Sequence, residues 1–412
     1  MRMIRAALAA HVGGLPTIFY WLWGGQFLSA IATFVFPFLA LFLTARGLSP
    51  SRAGAIVSLF GAGMLVAGPV GGALADRFGR RPTILGGLLG AAATAGALAF
   101  LHAPVAIAAV VFLFGVTSQA TNAPYQAVIA DVVPAQDRGR AFGLAYWANN
   151  IGIGVSLVVG GVLATYGWAV PFVADAITTL AFAAIVYRRV PETRPQRVSA
   201  RGAAAAPPLA GAMGGGSYLT VLADRTFVAF FLLHVAFCLA FWQMQSSLPI
   251  DMARHGITPA GFGLVLSVNT FLIAFVQPFG ARVTGRFTPA QVLAAASLLV
   301  GVGYGAYALC ATGPAYALAT AVWTLGEIAY MPTASALVQE LAPPHLRGRY
   351  AGAYGLGFGV ASFLAPLVGP AVLEALGAGA LWGGCLAVGA AVALGQLALG
   401  RARRRSVALR AA

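Results

Sequence analysis

Ten carboxylates are spread through a chain of 412 residues, and two of them stand where an acid is expensive. Glu327 falls near the middle of an apolar run in the C-terminal half, and Asp175 nearer the end of one in the N-terminal half. The other eight, Asp76, Asp131, Asp137, Glu192, Asp224, Asp251, Glu340 and Glu374, fall in loops or near the ends of such runs. An ionised carboxylate at mid-membrane costs about 2.5–3.5 kcal/mol on insertion scales. Taking up a proton removes the charge, so an acid so placed is a candidate proton carrier. Glu327 and Asp175 are the two candidates for proton coupling; the alternative for each is a structural hydrogen bond to a neighbouring helix.

Aromatic and amide residues recur at helical spacing around these acids. Trp323, Glu327 and Tyr330 are spaced i, i+4, i+7 and share one face of a helix. His234, Cys238, Phe241 and Gln245 share another, as do Gln119, Asn122 and Gln126, and as do Trp23, Gln26, Ala30 and Thr33. Polar faces of this kind should turn away from lipid, which would leave them unsatisfied. The candidate substrate-binding residues are Trp23, Gln26, Gln119, Asn122, Gln126, Asn150, His234, Phe241, Gln245, Trp323 and Tyr330. Aromatics mixed with amides around a single central carboxylate suit an amphipathic or weakly cationic organic molecule. A strong anion would want buried arginine, and none of the 25 arginines lies deep in an apolar run.

The elements that must position these residues follow from composition. Hydrophobic residues make up 60% of the chain and charged residues 8%, against roughly 25% charged in soluble domains. The charge-free stretches reach the roughly 20 residues needed to cross a bilayer. The expectation is an all-α membrane protein with twelve spans, at about 17–44, 53–75, 82–101, 104–131, 141–165, 169–188, 226–250, 259–283, 289–310, 314–340, 350–376 and 379–400. With the N-terminus inside, only Arg46, Arg52 and Arg254 face out, which is the asymmetry of the positive-inside rule and puts both termini in the cytoplasm. The formal charge of +15 thus reflects loop arginines at a lipid surface, and no nucleic-acid partner is expected. Residues 1–190 and 226–412 are expected as two six-helix bundles, joined by a cytoplasmic linker over 191–225 that is Arg-rich and then Ala/Gly/Pro-rich, with a short surface helix near 217–224. The tail around Arg401–Arg405 is basic enough to lie against anionic lipid.

The same composition excludes several chemistries. There is no lysine, hence no phosphate-binding loop of the Walker type and no Schiff base. Cys238, Cys310 and Cys385 all fall within spans and offer neither a disulfide framework nor metal spacing. No metal, no cofactor and no enzymatic cluster are expected, so any uphill transport must draw on an ion gradient.

Gly71-Gly72-Ala73-Leu74-Ala75-Asp76-Arg77-Phe78-Gly79-Arg80-Arg81-Pro82 is a polar island between the second and third spans, read as a tight cytoplasmic turn. Gly79 permits positive φ and Pro82 suits the start of the next helix. The chain repeats itself at a shift of 209 residues. Pro69, Gly71, Arg77 and Phe78 fall on Pro278, Gly280, Arg286 and Phe287; Arg46–Pro50 falls on His255–Pro259; Asp131, Pro134 and Arg138-Gly139-Arg140 fall on Glu340, Pro343 and Arg347-Gly348-Arg349. Two copies of one unit therefore run in the same order and orientation.

Two six-helix halves, the Gly72–Arg81 turn and a central linker resemble the major facilitator superfamily. Ala130-Asp131 through Arg140, with Gly326-Glu327, is similar to its bacterial drug:proton antiporter branch. That resemblance implies two parallel six-helix repeats in the bacterial cytoplasmic membrane, spans 1, 4, 7 and 10 lining the path, and proton-coupled efflux of drug-like compounds by alternating access. The rival reading is proton-linked uptake or export of one specific metabolite. It also implies a gate: Asp76 capping the eleventh helix near Tyr350–Gly355, Arg80 paired with Asp131, Arg77, Arg81 and Arg138 adding to the network, and Gly72 and Gly79 allowing close approach and the turn. The expected partners are a small organic substrate, protons and lipid, with the chain acting as a monomer.

Overall fold

A computed structural model describes residues 13–193 and 218–411, so most of the expected linker and the first twelve residues lie outside the described residues. Every regular element among the described residues is helical. In order these are α1 Thr17–Ile31, α2 Val35–Ala45, α3 Pro50–Phe78, α4 Arg80–Phe100, α5 Pro104–Gln119, α6 Asn122–Val132, α7 Arg138–Ala164 and α8 Ala169–Arg189. They continue as α9 Tyr218–Ala223, α10 Arg225–Phe241, α11 Ser247–Arg254, α12 Pro259–Thr284, α13 Pro289–Ala306, α14 Gly313–Leu341, α15 Arg347–Ala375 and α16 Gly377–Ala411. Eleven membrane-spanning segments are recognisable from length and apolarity alone. The twelfth is α14, 29 residues long, which carries Glu327 together with Thr320 and Thr324. The protein is thus an all-α membrane protein of twelve spans.

Three spans expected as continuous are broken: the first between α1 and α2, the fourth between α5 and α6, and the seventh between α10 and α11. Each break lies about one turn ahead of a proline. Pro37, Pro124 and Pro249 lack the amide hydrogen, and their rings would strike the carbonyls of Thr33, Ala120 and Gln245 in an unbroken helix. Each proline instead sits in the first turn of the second piece, where no intrahelical donor is needed. At the first break, the freed Thr33 carbonyl accepts the Ser156 hydroxyl at 2.7 Å.

Two compact units form. One holds α1 with the C-terminal part of α3 from Gly63 through the sixth span, and the other holds Phe36–Ala62 with the six C-terminal spans. The first unit centres on Phe19, Leu22, Ile84, Leu88, Val128 and Phe182. In the second, Phe36–Ala62 belongs by sequence to the first repeat but packs on α15. Gly54 and Gly61, one face of α3, lie so close to the backbone of Pro366 and Ser362 that an added Cβ would be driven into it. Phe36 stacks on Phe60 at 4.0 Å, and the Ser51 amide donates to Glu374 at 2.7 Å.

Gly61→Ala is therefore expected to destabilise, since overpacking against fixed backbone costs about 1–3 kcal/mol. Gly72→Ala, where a new Cβ meets nothing within 4 Å, should be neutral or slightly stabilising. Thermal unfolding of the two purified variants checks this: equal midpoints would sink the packing account.

Candidate functional site

Glu327 lies midway along α14, and its polar partners come from α12 and from α14 itself. Asn269 of α12 reaches across and donates its amide to Glu327 Oε2 at 2.6 Å and to Thr324 Oγ1 at 3.1 Å. Asn269 is buried, whereas Glu327 keeps partial exposure. No cation lies within ion-pair distance of Glu327 among the described residues. A carboxyl held by a neutral amide, with part of its surface open, can exchange a proton or meet a cationic ligand. A carboxylate locked to arginine would do neither as readily.

The expected aromatic face of the C-terminal unit is realised as a stack. Tyr330 lies parallel to Phe237 at 3.6 Å, and its hydroxyl is 3.3 Å from His234 Nδ1. His234 in turn stacks on Tyr354 at 4.2 Å and lies beside Cys238. Trp323 donates to the Tyr307 hydroxyl at 2.7 Å and meets Phe241 edge-on at 5.9 Å. His234, Trp323 and Tyr330 are fully enclosed, so their polar atoms serve each other first. Gln245, also buried, has an Oε1 with no partner among the described residues. Tyr354, Phe358 and Trp242 are the half-exposed aromatics at the edge of this stack.

The N-terminal unit places its candidates in a looser group. Trp23 donates to the Leu144 carbonyl at 3.0 Å, and Gln26 is 3.5 Å from Asn149. Asn122 donates to Gln119 at 2.7 Å across the break of the fourth span, and Asn150 to the Tyr146 carbonyl at 2.9 Å. Asn122 and Gln126 are exposed, while Trp23, Gln26, Gln119 and Asn150 are half-buried.

Asp175 occupies a different kind of place. It is buried in α8, and its Oδ2 accepts the amides of Phe34 and Val35 at 3.0 and 3.1 Å, while Thr179 donates to Oδ1 at 3.3 Å. The break in the first span leaves the Val35 amide without a helical acceptor, while the Phe34 amide also donates to the Ala32 carbonyl at 2.9 Å. The carboxylate thus caps α2, and the helix dipole favours its negative charge there.

The turn between α3 and α4 is organised by Gly79, whose φ is +106°. Arg80 pairs with Asp131 and donates to the Ala127 carbonyl at 3.2 Å. Arg81 donates to the Tyr187 carbonyl, and Arg138 to the Val133 carbonyl at 3.3 Å. Arg77 lies over the Phe78 ring, Asp76 is exposed and Gly72 half-buried. Glu192, absent from the expected gate, accepts the amides of Arg80 and Arg81 at 3.0 and 3.1 Å and so caps α4. Asn269 was equally absent from the expected site. The sequence offered one signal for it, an asparagine inside an apolar run and the sole asparagine after Asn150.

A chloramphenicol resistance protein of Streptomyces lividans is 30% identical over 343 residues, 79% of this chain and 81% of that protein. A Na(+), Li(+), K(+)/H(+) antiporter of Planococcus maritimus is 25% identical over 373 residues, 84% and 86% of the two chains. The crystal structure of a variant of the nucleoside transporter NupG superposes with a TM-score of 0.78 at 13% identity, covering 93% of this chain and 100% of that one. At that identity the likeness shows the fold alone. The family description Major Facilitator Superfamily fits residues 22–366 and again residues 230–411. This chain is a multi-pass membrane transport protein, not an enzyme, and it belongs to the Major Facilitator Superfamily.

Proposed function

We propose that this transporter expels amphipathic or cationic organic compounds across a bacterial cytoplasmic membrane in exchange for protons, by alternating access, with Glu327 as the proton carrier. The observation that carries the reading is the Glu327 carboxyl itself: mid-helix, partly exposed, oriented by Asn269 at 2.6 Å and unpaired with any arginine among the described residues. The half-exposed aromatic edge of Tyr354, Phe358 and Trp242 supplies a face for stacking and cation–π contact. The relatives named for chloramphenicol resistance and for cation/proton exchange support both halves of the reading. Arg80, Asp131, Arg81, Arg138 and Asp76, with Gly72 and Gly79, form the gate at the cytoplasmic end, and the chain works as a monomer.

Everted membrane vesicles test this. Vesicles energised to an acid interior and carrying the protein should lose their pH gradient when some lipophilic cation or neutral amphiphile from a panel is added. Vesicles without the protein should not. If no compound in the panel dissipates the gradient, drug:proton exchange is wrong and a transporter of one specific metabolite becomes the better account.

A further inference from the structure

A third carboxyl is buried in the C-terminal unit, at a position the sequence places near a span end. Asp251, in α11, is 1% exposed. Its Oδ2 accepts the Tyr316 hydroxyl at 2.8 Å and the Trp382 indole at 3.0 Å, while Oδ1 has no partner among the described residues. No ion pair reaches it among those residues, because Arg254, three positions on, donates instead to the Leu373 carbonyl at 3.1 Å. The remaining titratable groups around it are Tyr307 and Cys310, facing from the α13 end, and His255. Glu374, from α15, is occupied by Ser51.

The Tyr316 hydroxyl does not end at Asp251. It also lies 3.1 Å from His255 Nδ1, which is shared with the Asp251 backbone carbonyl at 3.0 Å and so carries the ring proton, and His255 is exposed on the loop that the arginine distribution puts outside. A hydrogen-bonded line therefore runs from solvent to a buried carboxyl: His255, Tyr316, Asp251. From Tyr316 a polar stripe continues along the same face of α14 at Thr320, Thr324 and Glu327, spaced i, i+4, i+8, i+11. Tyr316 meets Tyr307 only ring to ring at 5.4 Å; beyond it Tyr307 bonds Thr320 at 2.8 Å, the Thr324 hydroxyl donates to the Thr320 carbonyl at 2.7 Å, and Asn269 bonds both Thr324 and Glu327.

We propose that His255, Tyr316 and Asp251 form a proton-loading relay at the outer end of the C-terminal unit, feeding the α14 stripe toward Glu327. A proton taken from bulk by His255 Nε2 releases the one on Nδ1 to the Tyr316 oxygen, and the Tyr316 hydroxyl proton passes to Asp251. One proton enters, one is delivered, and the tyrosine and histidine are left ready for reset. The delivery to Glu327 rests on the proton-exchange reading above; the loading of Asp251 does not.

Infrared difference spectroscopy on the full-length protein in liposomes, with no substrate present, separates the two. After rapid acidification of the side bearing the Gly256 loop, a protonated-carboxyl band should appear that is missing in Asp251→Asn and retained in Glu327→Gln. In Tyr316→Phe the same band should rise roughly a hundredfold more slowly, the low end of what a positioned proton donor contributes. His255→Gln, an exposed change that leaves the core intact, should slow it in the same direction, so the test survives if Asp251→Asn fails to fold. A band that persists in Asp251→Asn, or that rises at the wild-type rate in both Tyr316→Phe and His255→Gln, overturns the relay. Loss of drug-driven exchange with the Asp251 band intact would count against the exchange reading alone.

Discussion

Glu327→Gln is expected to abolish substrate-driven proton exchange while leaving the protein folded. Glutamine keeps the shape of the side chain and can still accept the Asn269 amide through its carbonyl oxygen, so the packing of α12 against α14 persists. It takes up no proton, which removes the one step the carboxyl supplies. Activity in the everted-vesicle assay should fall by at least roughly a hundredfold, the scale on which a positioned proton-transfer group acts. Binding of neutral amphiphiles, followed by fluorescence quenching of the protein's tryptophans, should persist, and binding of cations should weaken. A Gln variant that dissipates the gradient as wild type does would remove Glu327 from the mechanism.

The second large effect separates two roles for Asp175. As the cap of α2 it accepts two buried amides; Phe34 has the Ala32 carbonyl as a second acceptor, but leaving the Val35 amide and the site's desolvated polar groups unsatisfied costs about 1–3 kcal/mol each. Asp175→Leu is expected to yield little folded protein. Asp175→Asn keeps an oxygen for those amides and is expected to fold and to retain proton exchange within a few-fold of wild type. The outcome that would reverse this is a well-folded Asp175→Asn that has lost exchange, for then the carboxyl would be carrying a proton as well as a helix end.

The twelve spans and the turn at Gly79 were legible because they depend on local apolarity and a positive-φ glycine. The breaks in the first, fourth and seventh spans were not legible from proline alone, since Pro69, Pro332, Pro366 and Pro370 lie inside helices that continue through them. What stayed hidden is partnership over long separations. Asp251 reads as a span-end acid until Tyr316 and Trp382, 65 and 131 residues away in the chain, close over it. Glu192 reads as a linker residue until it meets the amides of Arg80 and Arg81, 112 and 111 residues back. Trp323 and Tyr330 share a face with Glu327 by spacing, yet both are wholly enclosed while Glu327 is not, a distinction that only the packing of α10 and α13 decides.

For the exchange proposed above, the absence of a cation paired with Glu327 among the described residues has an electrical consequence. A single carboxylate neutralises one positive charge at a time, either a proton or a monovalent cation. When a cation leaves by that exchange and one proton returns, no net charge crosses the bilayer, and the membrane potential neither helps nor hinders. When a neutral compound leaves, the returning proton crosses alone, and every 100 mV, negative inside, adds about 2.3 kcal/mol to the drive. On the proposed exchange, the same side chain would make the transporter indifferent to voltage for one class of cargo and driven by it for another.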